Sequence, residues 1–582
     1  KDPRLSRWTA GASAQQSPLP PCSCPGQPGK PRGAASTATL RMEGQYSVFR
    51  ELRELAGAAP LTSAQVGCFI AYALSLFLLG ATELTKALST ANGGHDSEAS
   101  GKSPEKQKLA KGSADADQVE GKPRARSFSG EIIGCDLFKC LRLDVPSLLG
   151  NRTYIWAVAE FGTLMMWFFV ADRTALLPEG TKAYSRDVFF FVYSLLVIYS
   201  FSTFTKVWKT PVLLNRFQTE EWKGWMQVLF LLYHYFEARE MYNAIRVFIS
   251  AYVWMTGFGN FLYYYKSKDF SLGRFAEMMW RLNFLVFFCC ILLNNSYMLY
   301  YICPMHTLFT VFVYAALAIC PQLNENQWTL FGKILVSFAF IYIFWDIKEV
   351  FYAVWSPFKW LVGYTDPRRP GDDDMHEWYF RSSLDRYIWV YGMLCGFAHP
   401  YLQAWMQSVD SMSVAARYAI RTAVLGAALT VGTLWYNHVF TLDKYAYNAI
   451  HPYTSWIPIT VWIFLRNLTP TMRTFSLGVF GWLGCITLET YIGQFHNWLS
   501  SSIPDGQPIG LLEVIPQYPL MNFMVVTAVY IFTSYRLFQL TVTLKVAAVP
   551  GRDNFKLAVN SVVLLVCGCA FWAAGGVVLG MH

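Results

Sequence analysis

The sequence predicts an all-α fold: a polytopic bundle of about 12 to 14 transmembrane helices or re-entrant segments. Of its 582 residues, 54% are hydrophobic and only 15% are charged, which is too apolar for an ordinary soluble globular protein. Apolar stretches long enough for a hydrocarbon core of roughly 30 Å recur from about residue 65 onwards. Membrane lipid is therefore the expected partner of most of the chain, and no nucleic-acid partner is expected.

Composition divides the chain into four segments. Residues 1–60 are rich in Pro, Gly, Ser and Ala and are predicted to be a disordered tail. Residues 61–86 contain the first apolar run, which lacks a small-residue cleavage site and is predicted to remain as a membrane span. Residues 87–150 are predicted to form a flexible polar loop, and residues 151–582 a multi-span membrane domain.

The further spans are predicted wherever an apolar run recurs along the domain. They lie near residues 154–170, 188–204, 228–235, 245–264, 282–301, 307–319, 330–345, 387–401, 416–435, 456–465, 475–498, 521–540 and 555–579. The formal net charge of +9 comes partly from basic segments on both sides of the first span, so it does not determine orientation. The 13 cysteines lack the paired spacings of a zinc site, so no metal ligands are predicted.

Ionisable side chains inside apolar helices are functional candidates because burying them in a bilayer costs several kcal/mol. His234 follows an apolar run, and Lys223 lies 11 positions earlier on nearly the same helical face. A helical rise separates the two by roughly 16 Å. This spacing suits a cavity with a basic residue for phosphates at one mouth and a general base deeper inside. The structural alternative is an interfacial lysine and a packed histidine.

Other polar residues in or beside apolar runs are assigned roles by type. Glu489 and His496 are seven positions apart, on one helical face, and are further catalytic candidates. Candidates for binding an acyl donor or oxyanion are Arg246, Arg281 and Asn283, together with Lys223. Candidates for an acceptor site or pathway are Asn260, His376, Arg381, Asp385, Arg386 and His451. Three further histidines are interpreted as structural: His306, His399 and His438.

Several well-known catalytic motifs are missing from the sequence. It has no Walker-type phosphate loop, no Gly-x-Ser-x-Gly elbow, no His-Glu-x-x-His zinc helix and no Gly-Asp-Ser esterase block. These absences argue against a serine-based covalent enzyme.

Six ordered blocks resemble the plant Reduced Wall Acetylation proteins. They are residues 220–234, 242–260, 274–285, 376–387, 447–459 and 487–498. That family is related to the membrane half of the vertebrate sialate O-acetyltransferase and to fungal capsule-acetylation proteins, which are described together as ten-transmembrane acyltransferases. Lys223, ten intervening residues and His234 also resemble the basic-x10-His signature of the wider transmembrane acyltransferase superfamily, and Arg281 resembles its arginine element. The resemblance implies a superfamily-like helical bundle with His234 as catalytic base.

The resemblance further implies O-acetylation of cell-wall polysaccharides such as xylan or pectin at the Golgi membrane. Acetyl-CoA is the expected acetyl donor, and no bound cofactor is expected. Because no esterase-like block is found, separate luminal esterase-like polysaccharide O-acetyltransferases are the expected protein partners.

Three functional classes remain open on the sequence alone. If the protein is an enzyme, His234 deprotonates an acceptor hydroxyl. If it is a transporter of the acetyl donor, the same buried polar groups line a route across the membrane, and no covalent bond is made or broken. A scaffold for luminal transferases would not depend on buried polar side chains, and their density in the spans makes it the least favoured class. The acyltransferase is the preferred hypothesis.

Overall fold

A computed structural model describes residues 60–92, 144–174, 176–551 and 553–580. The predicted disordered tail, residues 1–60, lies outside these ranges except for its last residue. Most of the predicted polar loop, residues 87–150, also lies outside them, although the first helix extends as far as Asn92.

Within the described ranges, seven helices are long and apolar enough to cross a membrane. By length and composition these are Ser63–Thr90, Arg152–Arg173, Leu272–Leu292, Gln327–Asp346, Val414–Phe440, Pro519–Ala548 and Asn554–Val578. Two shorter apolar helices, Ile302–Ala318 and Trp456–Arg466, accompany them. The predicted fold class, an all-α polytopic membrane bundle, is confirmed.

The α-helices are numbered here in chain order. They are α1 Ser63–Asn92, α2 Val145–Gly150, α3 Arg152–Arg173, α4 Arg186–Phe201, α5 Arg216–Phe236, α6 Tyr242–Ser267, α7 Leu272–Leu292, α8 Ile302–Ala318, α9 Gln327–Ile341, α10 Lys348–Trp355, α11 Lys359–Val362, α12 His376–Leu384, α13 Ile388–Ser411, α14 Val414–Trp435, α15 Lys444–Thr454, α16 Trp456–Arg466, α17 Pro470–Thr474, α18 Gly478–Cys485, α19 Thr487–Asn497, α20 Pro519–Ala548 and α21 Asn554–Val578.

Short strands join segments that are distant in sequence. The strands are β1 Glu179–Thr181, β2 Phe204–Lys206, β3 Phe475–Leu477, β4 Leu499–Ser500 and β5 Gly510–Leu512. One antiparallel sheet has the order β1-β5-β4, with Gly180 opposite Leu511. The other pairs β2 with β3, with Thr205 opposite Ser476. Both sheets therefore tie the region after α3 and α4 to the region around α18 and α19.

The predicted continuous span over residues 475–498 is wrong. Its first three residues form β3, and the remainder is divided between α18 and α19. The break falls at Ile486, whose backbone leaves the helical region at φ −103° and ψ 18°. The first half of this stretch, residues 475–486, is almost entirely apolar, so hydropathy alone did not reveal that β3 is extended by pairing with β2.

Three other predicted helix boundaries also differ from the structure. The short span predicted at 228–235 is the second half of α5, which begins at Arg216 with a charged first half. The predicted spans leave out α15, which contains His451 and precedes α16 as a separate helix. The span predicted at 387–401 extends to Ser411, because α13 continues past Pro400.

Glycines allow two pairs of helices to pack with their backbones in close contact. A Cβ atom on Gly224 of α5 would lie 1.8 Å from the carbonyl oxygen of Phe480 in α18, and one on Gly484 would lie 1.8 Å from that of Glu220. Gly257 of α6 and Gly392 of α13 meet in the same way. Small residues at such crossings are typical of membrane helices, because close approach supplies the packing energy. These contacts hold α5 and α6 in position.

Candidate functional site

A cavity of about 290 Å³ lies where the C-terminal end of α5, the N-terminal end of α6 and helix α12 meet. Extended segments around Lys182 and around Gln507 complete its wall. Of the sequence-predicted site residues, it is lined by His234, Arg246 and Arg381. The other lining residues are aromatic, aliphatic or charged: Phe230, Tyr233, Glu237, Arg239, Tyr242, Ile245, Ile249, Met298, Leu299, Tyr301, Tyr364, Glu377, Phe380, Lys444, Phe495, Leu499 and Pro508.

His234 is half-buried in the last turn of α5, just before the helix ends. The helix stops because Glu237 adopts the left-handed conformation, with φ 53° and ψ 45°. The Nδ1 atom of His234 lies 3.2 Å from Oε1 of Gln494 on α19. With the amide oxygen of Gln494 as the acceptor, Nδ1 is the donor and Nε2 keeps its lone pair. This arrangement orients the imidazole as a base.

Lys223 lies on the same helix as His234 but does not line the cavity. It is half-buried, and its backbone carbonyl accepts a 2.7 Å hydrogen bond from the hydroxyl of Tyr252. That hydroxyl also lies 3.1 Å from Oε1 of Gln227. The 11-residue spacing suggested that Lys223 and His234 share a cavity, but in the structure only His234 lines it.

The cavity has an excess of positive charge. It is lined by five basic side chains and two acidic ones: Lys182, Arg239, Arg246, Arg381 and Lys444, with Glu237 and Glu377. Glu377 pairs with Arg381 at 3.0 Å, and the Arg381 guanidinium lies 4.5 Å from the centre of the Tyr301 ring. Such a lining favours an anionic ligand because field lines concentrate in a cleft with apolar walls.

Lys182 lies outside the helices, in the extended segment after β1. Its Nζ donates a 2.6 Å hydrogen bond to the carbonyl oxygen of Pro508. Burial lowers the pKa of Lys182 to about 8, and the nearby carboxylate of Glu237 acts in the opposite direction. Lys182 therefore adds a positive charge to the cavity wall that is lost under mildly alkaline conditions.

Arg246 connects the cavity to a buried polar cluster behind it. Its Nη2 donates to Oδ2 of Asp385 at 3.0 Å, and the other oxygen of Asp385 accepts from the hydroxyl of Ser250. That hydroxyl lies 2.8 Å from Nε2 of His451, whose Nδ1 is 3.0 Å from the hydroxyl of Tyr447. The structure thus brings together three residues predicted separately: Arg246, Asp385 and His451.

Glu489 and Arg281 form an ion pair away from the cavity. Both oxygens of the buried Glu489 accept from the guanidinium, with Nη2 and Oε2 2.9 Å apart. Arg281 also donates to the carbonyl oxygen of Cys485 at 3.3 Å. The two residues, predicted as catalytic and donor-binding groups, are thus mutual partners that join α7 to α19.

His496 belongs to another buried cluster. Its Nδ1 lies 2.6 Å from Oδ2 of Asp172, and its Nε2 lies 2.5 Å from the hydroxyl of Tyr300. Asp172 also accepts from Arg173, and its Oδ1 accepts from the backbone amide of Ser501 at 2.8 Å. Both nitrogens of His496 are therefore engaged, and the residue does not line the cavity.

The remaining predicted residues also lie outside the cavity wall. Asn283 donates to Thr307 at 3.0 Å, and Asn260 is buried within α6. His376 is exposed at the start of α12. Arg386 forms a two-pronged ion pair with Asp346, with distances of 2.9 Å and 3.2 Å.

Sequence reasoning missed Gln494, which contacts His234, and several residues that line the cavity. Gln494 orients His234, yet it was only one polar residue within a block; Lys182, Glu237 and Glu377 lie in turns or at helix ends. The available signal was a polar stripe: Thr487, Thr490 and Gln494 recur at helical spacing in α19. In the described part of the chain, no group of three His, Cys, Asp or Glu side chains is arranged to hold a metal ion.

Comparisons with known proteins match this architecture. Residues 105–562 match the family model described as the 10 TM acyl transferase domain found in Cas1p. The chain is 31% identical over 425 residues to the N-acetylneuraminate (7)9-O-acetyltransferase of Danio rerio. This alignment covers 70% of the chain but 52% of the relative, so the chain spans about half of that protein's length. No solved structure gives a significant match. Because the family match covers most of the sequence, this chain belongs to the ten-transmembrane acyltransferase family.

Proposed function

We propose that this protein transfers acetyl groups from acetyl-CoA to hydroxyl groups of cell-wall polysaccharides at the Golgi membrane. The observation that carries the proposal is the position of His234, which lines a cationic cavity while Gln494 holds its Nδ1. The acyltransferase family and the O-acetyltransferase relative support acetyl transfer as the chemistry. The resemblance of six sequence blocks to the Reduced Wall Acetylation proteins supports the choice of acceptor and compartment.

In the proposed reaction, Nε2 of His234 takes the proton of an acceptor hydroxyl as its oxygen attacks the thioester carbonyl carbon. The resulting tetrahedral oxyanion collapses, the carbon–sulfur bond breaks, and the coenzyme A thiolate leaves. The proton on His234 then passes to the thiolate, which returns the imidazole to its neutral form. A cationic or hydroxyl group of the cavity wall, such as Arg381 or Tyr301, stabilises the oxyanion.

The charge of the cavity favours the phosphate-bearing acetyl-CoA as donor. Lys182, Arg246 and Arg381 all line it, and guanidinium groups bind phosphate oxygens with well-defined geometry. Lys223, Arg281 and Asn283 lie outside the cavity, so their proposed roles in binding the donor rest on the sequence alone.

A division of labour with a second protein forms part of the proposal. A luminal esterase-like polysaccharide O-acetyltransferase would receive the acetyl group from this membrane protein or share its acceptor. The relative is named as an O-acetyltransferase of N-acetylneuraminate, which supports a sugar hydroxyl as the acceptor. The acceptor of the present chain is proposed to be a polysaccharide.

Transport of the acetyl donor is the second candidate function. It is favoured by a polar seam, which we define as Lys223, Gln227 and His234 on α5 with Thr490 and Gln494 on α19. Gln227 donates to the hydroxyl of Thr490 at 3.1 Å, and seven residues further along α5 His234 contacts Gln494. A seam of this kind could carry an acetyl group or protons across the membrane without forming an ester.

Proteoliposomes that contain the purified protein and enclosed oligosaccharide distinguish the two functions. Radiolabelled acetyl-CoA is added outside, and wild type is compared with His234→Ala and with His438→Ala, an exposed histidine outside the cavity. Labelled oligosaccharide ester from wild type and His438→Ala, but not from His234→Ala, supports the transferase. Trapped label without ester supports the transporter instead, and ester formation undiminished in His234→Ala excludes the proposed base.

A further inference from the structure

Arg246 differs from the other basic residues of the cavity in its burial. Only 1% of its surface is exposed, whereas Lys182 and Arg381 are half-buried and Arg239 and Lys444 are exposed. Its Nη2 is bound to Asp385, but its Nε has no hydrogen-bond partner among the described residues. A buried guanidinium with an unpaired N–H group is costly unless another group satisfies it. Arg274, Arg417, Arg421 and Arg473 also have an unpaired Nε, but of these five arginines only Arg246 lines the cavity, and this combination points to a ligand.

The carboxylate of Asp385 holds Arg246 by one nitrogen only. Its Oδ2 accepts from Nη2, while its Oδ1 is occupied by the Ser250 hydroxyl and lies 3.6 Å from Nε2 of His451. All four side chains are almost completely buried. Asp385 therefore shares its two oxygens between Arg246 and Ser250 and binds only one nitrogen of the guanidinium group.

Three other arginines show the contrasting arrangement. Arg281 with Glu489, Arg386 with Asp346, and Arg466 with Glu221 each bind both oxygens of their carboxylate partner. A two-pronged pair uses the hydrogen-bonding capacity of the arginine and the acid together, as expected for a structural contact. Arg246 lines the cavity and keeps part of its fork unused.

We infer that Arg246 binds an anionic group of the ligand, a phosphate or a carboxylate, and that Asp385 is a positioning residue which acts through it. Ser250 and His451 hold Asp385 in this orientation, and the N–H groups of Arg246 that Asp385 does not bind are left for the ligand. The identity of the ligand rests on the proposed function: the phosphate belongs to acetyl-CoA, or the carboxylate belongs to an acidic sugar unit of the acceptor.

Equilibrium binding to the purified protein in nanodiscs tests this inference without any need for turnover. The ligands are acetyl-CoA, acetyl-pantetheine without phosphates, an acidic oligogalacturonide and a neutral xylo-oligosaccharide. The variants are Arg246→Ala, Arg246→Lys and Asp385→Asn, with Asp346→Asn as a control at an ion pair outside the cavity. Thermal unfolding of each variant shows whether it is folded.

The expected result is a Kd for the anionic ligand that is about 10- to 100-fold higher in Arg246→Ala, with a smaller increase in Arg246→Lys and Asp385→Asn. Arg246 binds the phosphate if the variants raise the Kd for acetyl-CoA but not the Kd for acetyl-pantetheine. Arg246 binds the carboxylate if the variants raise the Kd for the acidic oligosaccharide but not the Kd for the neutral one. Asp346→Asn should bind every ligand as wild type does.

The double variant Arg246→Ala with Asp385→Asn separates positioning from a purely structural role. If Asp385 acts through Arg246, Asp385→Asn raises the Kd no further once Arg246 is absent. Independent, additive effects, or folded Arg246→Ala and Arg246→Lys proteins that bind all four ligands like wild type, would overturn the inference. Anion binding through Arg246 in a protein without acetyl transfer would leave the inference intact and would reject the proposed function.

Discussion

The proposed role of His234 depends on one neighbouring side chain. The amide oxygen of Gln494 accepts from Nδ1 and leaves Nε2 as the basic nitrogen. Gln494→Leu removes this acceptor, so we expect kcat for acetyl transfer to fall by about 10- to 100-fold, less than the loss in His234→Ala. Gln494→Glu keeps an acceptor and should retain more activity than the leucine variant. Wild-type kcat in folded Gln494→Leu would contradict this account of the tautomer.

Lys182 gives the cavity a testable dependence on pH. Burial lowers the pKa of its ammonium group to about 8, so the group is charged at pH 7 and mostly neutral at pH 9. We expect the Kd for acetyl-CoA to rise several-fold over this range, because one positive charge leaves the wall. Lys182→Arg stays charged and should show a flatter profile. Equal profiles for the two proteins would show that Lys182 does not act on the donor.

At the scale of elements, the crossing of α5 and α18 depends on glycine. A Cβ atom on Gly484 would meet the carbonyl oxygen of Glu220 at 1.8 Å, whereas one on Gly481 of the same helix would meet nothing within 4 Å. We expect Gly484→Ala to lower the free energy of unfolding by about 1–3 kcal/mol, because the two backbones must separate. Gly481→Ala is the matched control and should be neutral or slightly stabilising.

Thermal unfolding in detergent measures the difference between these glycine variants. Separation of α18 from α5 should also lower acetyl transfer by Gly484→Ala, since α5 carries His234. If Gly484→Ala unfolds at the same temperature as Gly481→Ala, the close contact at this crossing does not contribute to stability.

At the scale of the whole molecule, two loops that are distant in sequence cover the cavity together. Arg368 donates to the carbonyl oxygens of Gln507 and Ser501 at 2.8 Å and 3.2 Å. Tyr364 donates to the carbonyl of Asp505 at 2.8 Å, and both Tyr364 and Gln507 line the cavity. These hydrogen bonds therefore join the two loops beside the cavity that both of them line.

Arg368→Ala tests this connection between the loops. The loss of two hydrogen bonds to carbonyl oxygens should increase hydrogen exchange in residues 500–510, while exchange in the helices stays unchanged. Arg369→Ala is the matched control, because Arg369 is an equally exposed neighbour. Equal exchange in the two variants would show that Arg368 does not hold the loops together.

The sequence predicted the helical class and most of the long spans correctly. It also singled out Arg246, Asp385 and His451, which the fold brings into one cluster. It failed for residues 475–498, which form a short strand and two short helices, and it placed Lys223 in a cavity that Lys223 does not line. Hydropathy and helical spacing describe one segment at a time, whereas pairing and cavity walls involve several segments.

The sequence by itself determined that the chain is a membrane bundle with ionisable groups in its helices, because composition and apolar run length depend only on residue order. Only the tertiary structure decided which of those groups share a cavity and which neutralise one another. Glu489 pairs with Arg281 and His496 with Asp172, whereas His234 faces the cavity beside Arg246 and Arg381. The physical reason is that a buried charge needs a partner, and helices remote in sequence supply it only once they pack.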